Sequence, residues 1–176
     1  STHLPAFLED NLLPAWVAGW ALALIGLFNI LGTLMYGYLG DSYSKKNLLT
    51  GLYSLRSVLF LVFFLSPKTE FTVLIFASLL GILWLSTVPL TSGIITDVFG
   101  PKYTSMLFGM ALFTHNIGSF FGSWLGGRIF DAYGSYDLMW IICVFVGFAS
   151  AAVHFPINGS AILRIQSQRL KVSRVE

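Results

Sequence analysis

Long apolar runs separated by short polar connectors are the dominant pattern of this chain. Five runs cover residues 12–38, 48–65, 71–95, 103–129 and 138–155, and each is continuously apolar rather than alternating in polarity. A helix needs roughly 17–25 mostly apolar residues to cross a bilayer. Because backbone groups in lipid must be hydrogen-bonded within their own segment, the pattern predicts an all-α bundle of membrane-spanning helices.

Composition supports the same class, since 56% of the residues are hydrophobic and only 10% are charged, against about 25% charged in a soluble domain. The net charge of +2 is too small to indicate a nucleic-acid partner. The single cysteine, Cys143, excludes a disulfide within the chain. The apolar runs also lack paired carboxylates, clustered histidines and phosphate-binding loops, so we expect no enzyme, no cofactor and no metal.

Loop charges predict the orientation of the helices in what we expect to be a bacterial inner membrane. Alternate connectors and chain ends form two sets that differ in their basic residues. One set contains only Lys68 and Arg128. The other, which we call the first set, contains Lys45, Lys46, Lys102, Arg164, Arg169, Lys171 and Arg174. The positive-inside bias makes the first set cytoplasmic, including a basic tail at 161–176. Five spans that begin outside suggest a sixth, incomplete helix at the start; the alternative is a five-span protein with its N-terminus outside.

Two stretches carry a resemblance to a known family. The connector GYLGDSYSKKNLL resembles the loop signature of the major facilitator superfamily, with matches at Gly37, Leu39, Asp41, Lys45, Lys46 and Leu49. It departs from that signature at Ser42 and Ser44, where Arg and Gly are usual. The run GSFFGSWLGGRIFDAYGSYD is similar to the eleventh helix and following loop of monocarboxylate- and oxalate/formate-type members, and HLPAFLEDNLL to the outer end of their seventh helix.

The resemblance implies the C-terminal half of a twelve-helix transporter. Residues 1–160 would hold the end of helix seven and helices eight to twelve, and a missing N-terminal half would be the partner. The implied function is secondary transport of a small solute, such as an organic anion of the monocarboxylate class, by alternating access. A membrane scaffold or sensor subunit without transport is the alternative.

Polar residues at mid-depth are the candidates for a substrate or coupling site, since such residues tend to face a bundle interior or a wet cavity. The resemblance places the runs 12–38, 71–95 and 103–129 beside the transport path, and the candidates there are His115, Asn116, Asn29, Thr87 and Trp84. A histidine titrates near neutral pH and can carry a proton. The alternative for the polar residues is an interhelical hydrogen bond, and for the tryptophan simple packing.

Residues at the cytoplasmic helix ends are predicted to form a conformational latch, in which opposite charges hold one state together. Its members are Gly37, Asp41, Lys45, Lys46 and Asp97; the alternative is a solvated loop with weak ion pairs. Arg56 is interpreted as a structural cation whose stem extends toward the cytoplasmic headgroups, with Asp41 as a candidate partner.

Two further features concern helix shape and packing. Gly118, Gly122 and Gly126 repeat every four residues, which predicts a groove for close approach of another helix. Gly147 has no such repeat and is expected to tolerate a larger side chain better. Pro89 is expected to bend its helix, because it removes one backbone hydrogen bond and crowds the preceding turn.

Overall fold

The computed structural model describes residues 14–154, and within that range the chain is entirely helical apart from short connections. The helices, in chain order, are α1 Ala15–Ser42, α2 Lys45–Leu65, α3 Glu70–Trp84, α4 Thr87–Phe99, α5 Pro101–Tyr133 and α6 Asp137–His154. The prediction of an all-α membrane bundle is therefore confirmed. The partial helix predicted before Leu12 and the tail at 161–176 lie outside the described residues.

Four segments of the described part are long and apolar enough to cross a membrane: Ala15–Ser42, Lys45–Leu65, Glu70–Phe99 and Asp137–His154. They agree with four of the five predicted spans. The fifth predicted span, 103–129, is helical within α5, but α5 is not among the four. Its length of 33 residues is ample, and its middle carries polar and small residues that lower its apolar character.

Two helix pairs form the body of the bundle, α1 against α3 and α2 against α6, while α4 packs against α5, α1 and α2. One buried cluster joins α1, α2 and α3 and includes Val17, Phe63 and Phe76. A second cluster joins α2 to α3 and α4 through Leu52, Leu83 and other leucines. The core is thus centred on α2 and on the α3–α4 segment.

Close approach of α1 and α3 depends on one glycine from each helix. A Cβ added at Gly32 would meet the backbone of Ile82, and a Cβ added at Gly81 would lie 2.7 Å from the carbonyl oxygen of Ile25. Both glycines are buried. Small residues at a helix interface allow this kind of backbone-to-backbone packing.

The glycine repeat of α5 behaves differently from the sequence expectation. An added Cβ would find no atom within 4 Å at Gly118 or Gly122, although Gly126 is buried. Gly147, in contrast, packs directly against Ser57 of α2. The expectation that Gly147 tolerates a larger side chain better than Gly122 is therefore wrong for the described bundle, because α6 packs against α2 at Gly147 while α5 is open at Gly122.

Candidate functional site

An ion pair joins the N-terminal end of α2 to the C-terminal end of α4. The Nζ of Lys45 lies 2.9 Å from Oδ2 of Asp97, and the two side chains are 24% and 39% exposed. Lys45 is the first residue of α2 and Asp97 lies in the last turn of α4. Each charge is therefore at the unfavourable end of its own helix dipole. Pairing relieves both at once, which adds to the 0.2–1 kcal/mol or so that an exposed pair contributes.

The aliphatic part of the Lys45 side chain reaches Asp97 by passing over two glycines, which leave room for it. A Cβ added at Gly93 would lie 2.7 Å from Cε and 2.8 Å from Cδ of Lys45, and one at Gly40 would lie 3.8 Å from its Cγ. Gly93 precedes Asp97 by four residues and so shares its helix face. Gly93 was not predicted from the sequence, although its spacing from Asp97 was a usable signal.

The other predicted latch residues surround this pair without all joining it. Gly37 of α1 faces Pro89 of α4, since its added Cβ would lie 3.9 Å from the proline Cβ. Asp41 is exposed at the end of α1, and no ion pair to Asp41 is found within residues 14–154. The structure thus brings Lys45 and Asp97 together, and the roles of Asp41 and Lys46 stay predictions.

The span predicted at 71–95 contains a break between Trp84 and Thr87, which we call the elbow. Pro89 cannot donate to the carbonyl of Leu85, and the N–H of Val88 bonds that oxygen instead at 2.9 Å. The turn therefore tightens at Leu85 and the helix restarts at Thr87. The expected bend at Pro89 is confirmed as an interruption of the helix.

Side chains from two neighbouring helices satisfy the backbone groups of the elbow. The Oδ1 of Asn29 in α1 accepts a hydrogen bond of 2.9 Å from the N–H of Leu85. The Nη2 of Arg56 in α2 donates to the carbonyl of Trp84 at 3.0 Å and to the carbonyl of Leu83. Three predicted site residues thus meet here, since Asn29, Trp84 and Thr87 all lie at the elbow.

Arg56 departs from its predicted role. It lies near the middle of α2 (Lys45–Leu65), and its guanidinium points into the elbow instead of toward the headgroups. Its carbon Cζ lies 5.4 Å from the ring centre of Tyr53 and 5.6 Å from that of Trp84. The suggested pairing of Arg56 with Asp41 is wrong, because the guanidinium bonds backbone carbonyls of α3.

The predicted pair His115 and Asn116 lies elsewhere. Both side chains are exposed on the middle of α5, which packs mainly against α4. Within residues 14–154 neither side chain forms a hydrogen bond. The interhelical hydrogen bond that was the alternative reading is therefore absent within the described helices, and their functional role stays a prediction.

The opposite end of α2 is closed by a lysine. The Nζ of Lys68 donates to the carbonyls of Phe63, Phe64 and Ser66 at 2.7, 2.9 and 2.7 Å. These oxygens have no partner inside the helix, because they belong to its end. Partial burial lowers the pKa of Lys68 from its ordinary value, and the charge of Asp137 offsets part of that effect. Lys68 is a helix cap at the end away from the Lys45–Asp97 pair.

Comparison with known proteins gives these features a family. A sequence profile described as Major Facilitator Superfamily matches residues 3–172. The chain is 26% identical over 141 residues to the MFS-type transporter YcxA of Bacillus subtilis, covering 77% of this chain and 35% of the relative. It is 27% identical over 135 residues to a Na(+), Li(+), K(+)/H(+) antiporter of Planococcus maritimus, covering 73% and 31%.

A third relative is solute carrier family 22 member 18 of Rattus norvegicus, 30% identical over 118 residues, with 66% of this chain and 29% of the relative covered. The chain thus spans about a third of the length of the curated relatives it matches. No solved structure matches it significantly. The family match agrees with the prediction that the chain is an integral membrane protein and not an enzyme. Since the profile covers nearly the whole sequence, the chain belongs to the Major Facilitator Superfamily.

Proposed function

We propose that this chain is the C-terminal half of a secondary transporter, and that a preceding half completes the transport path. Two halves that rock about a site near the bilayer midplane give alternating access. The proposal is supported by the family match and by the limited share of each relative that the chain covers. We place the tail and the Lys45–Lys46 loop in the cytoplasm of a bacterial inner membrane.

The observation that carries the proposal is the ion pair between Lys45 and Asp97. It joins the start of α2 to the end of α4 at one end of the bundle. Because each charge is disfavoured by its own helix dipole, separating the pair exposes both helix ends to an unfavourable charge. A contact of this kind stabilises one conformational state and must open for the other, which is the property of a latch.

For the solute we propose a small organic anion such as a monocarboxylate. The support is the similarity of the run beginning at Gly118 to transporters of that class, together with the polar residues His115 and Asn116 on the same helix. The name of the Planococcus maritimus relative points to another class, alkali cations exchanged for protons. A scaffold or sensor subunit without transport remains the alternative from a different functional class.

Uptake by the full-length protein in proteoliposomes separates these possibilities. Radiolabelled lactate and acetate test the anion proposal, and radioactive sodium with an imposed proton gradient tests cation exchange. We expect saturable uptake of a carboxylate above that of empty liposomes. Sodium uptake alone would replace the proposed solute, and a folded protein that moves neither solute would favour the scaffold.

The latch is tested by neutralising and then exchanging its charges. We expect Asp97→Asn to lower the rate of uptake at normal expression, while Glu70→Gln, an exposed carboxylate in the first turn of α3, leaves the rate unchanged. The exchange Lys45→Asp with Asp97→Lys should recover uptake, because the pair is restored and each charge then suits its helix dipole. Equal rates for Asp97→Asn and Glu70→Gln would contradict the latch.

A further inference from the structure

Backbone N–H and C=O groups inside a membrane need hydrogen-bond partners. The elbow between α3 and α4 lies near the middle of the segment Glu70–Phe99. Lipid offers no hydrogen bonds, so interrupted helices persist only where protein groups or water satisfy the backbone. In an unbroken helix the oxygen of Trp84 would accept from the N–H of Val88. That N–H donates to the carbonyl oxygen of Leu85 instead. Carbonyl oxygens at the elbow therefore need hydrogen-bond donors from outside their own helix.

Arg56 supplies the missing donors. Two carbonyls in succession, those of Leu83 and Trp84, accept from the same Nη2. The side chain makes no ion pair among residues 14–154, and its Nε is buried without a hydrogen-bond partner. A charged residue at this depth is expensive and is usually paired or functional. Here the carbonyl dipoles and the flanking rings of Tyr53 and Trp84 stabilise the positive charge in place of a counter-ion.

Asn29 completes the arrangement from α1, because its Oδ1 accepts a hydrogen bond from the N–H of Leu85 in the tightened turn. The elbow is therefore held by one donor from α2 and one acceptor from α1. α4 also packs against both of these helices.

We infer that Arg56 and Asn29 are positioning residues that fix the angle of the elbow, and through it the position of the α4 end that carries Asp97. The link between this angle and the transport cycle rests on the proposed function, whereas the angle itself does not. α4 contains 13 residues, so it is about 20 Å long, and a rotation of 10° at the elbow moves its far end by about 3 Å. Such a movement is enough to separate Asp97 from Lys45.

The test measures the elbow directly in the full-length protein in lipid nanodiscs. Spin labels at Ile75→Cys on α3 and Phe99→Cys on α4, in a Cys143→Ser background, report the distance across the elbow by pulsed electron paramagnetic resonance. Ile75 and Phe99 are 44% and 47% exposed, so both accept a label. We expect a narrow distance distribution for the parent, and one widened or shifted by several ångströms for Arg56→Met.

Three companion variants keep the test decisive. Asn29→Leu should widen the distribution as well, and it tests the elbow independently if Arg56→Met fails to insert. Arg56→Lys should stay close to the parent, because an ammonium can still donate to two carbonyls. Lys68→Met, which removes a cation that caps the end of α2 away from the elbow, should leave the distribution unchanged.

The inference is overturned if the distance distribution of Arg56→Met or of Asn29→Leu superimposes on that of the parent. It is also overturned if Lys68→Met widens the distribution as much as Arg56→Met does. None of these readings requires transport. Absence of uptake by the parent would reject the proposed function while leaving the elbow measurement intact. Normal uptake with superimposable distributions would reject only this inference.

Discussion

The packing of α1 on α3 yields the sharpest stability prediction, because it isolates one methyl group at one glycine. Gly32→Ala places a Cβ against the backbone of Ile82, 2.7 Å from both its carbonyl carbon and its Cα, where ordinary contact begins at 3.4 Å. The obstacle is backbone, which cannot turn aside as a flexible side chain can. The two helices must therefore separate by roughly 0.7 Å or more at this level, which loosens neighbouring van der Waals contacts.

The matched control is Gly26→Ala in the same helix, where an added Cβ meets no atom within 4 Å. Both variants gain about 0.5–1 kcal/mol from replacing a glycine inside a helix, so the difference between them reports the packing cost. Overpacking typically costs about 1–3 kcal/mol. At about 2–4 °C per kcal/mol for a chain of this size, Gly32→Ala should unfold about 2–12 °C below Gly26→Ala.

Thermal unfolding of the two purified variants in the same detergent, followed by loss of the monodisperse peak in size-exclusion chromatography, measures this difference. Gly81→Ala, whose Cβ would lie 2.7 Å from the carbonyl oxygen of Ile25, should behave like Gly32→Ala. Coincident unfolding curves for Gly32→Ala and Gly26→Ala would refute the reasoning, since they would mean that α1 and α3 are not in backbone contact.

Three further predictions concern packing, coupling and topology. Gly147→Leu should destabilise the chain more than Gly122→Leu in the same unfolding assay, because only the first glycine is in contact with another helix; the reverse order would contradict the described packing. His115→Ala should alter the dependence of uptake on pH at unchanged expression, and superimposable normalised profiles would retire the histidine as a coupling residue. In a Cys143→Ser background, a thiol reagent added outside should label Thr69→Cys and not Ser44→Cys, and equal labelling of the two would reject the proposed orientation.

The sequence was sufficient for the fold class, because continuous apolar runs of this length have few other solutions. It also indicated the break at Pro89, since a missing N–H is a property of the residue itself. It did not indicate which glycines make close contacts. Gly32 and Gly81 lie in different helices, and only the pairing of α1 with α3 makes them neighbours. In the regular repeat of α5, by contrast, Gly118 and Gly122 face open space in the described residues.

The site was predictable to a similar degree. The charges near the loop signature placed Lys45 and Asp97 among the predicted latch residues, but they did not indicate that these two residues would pair with each other. Arg56 shows the limit most clearly. A lone arginine in an apolar helix has many partners available to it, and the free carbonyls that it bonds exist only because of a turn 27 and 28 residues away in sequence.

The modest apolar character of α5 has a consequence for how the chain enters the membrane. Insertion of a segment depends on its apolarity, and polar residues near its centre are the most costly. α5 begins directly after Gly100, whose φ of 82° is easily adopted only by glycine, and the hydroxyl oxygens of Thr96 and Thr104 lie 3.0 Å apart across that turn. α4 and α5 therefore form a tight hairpin. During synthesis, we expect the insertion of α5 into the bilayer to depend on the segment that precedes it, so that residues 70–133 insert as one unit.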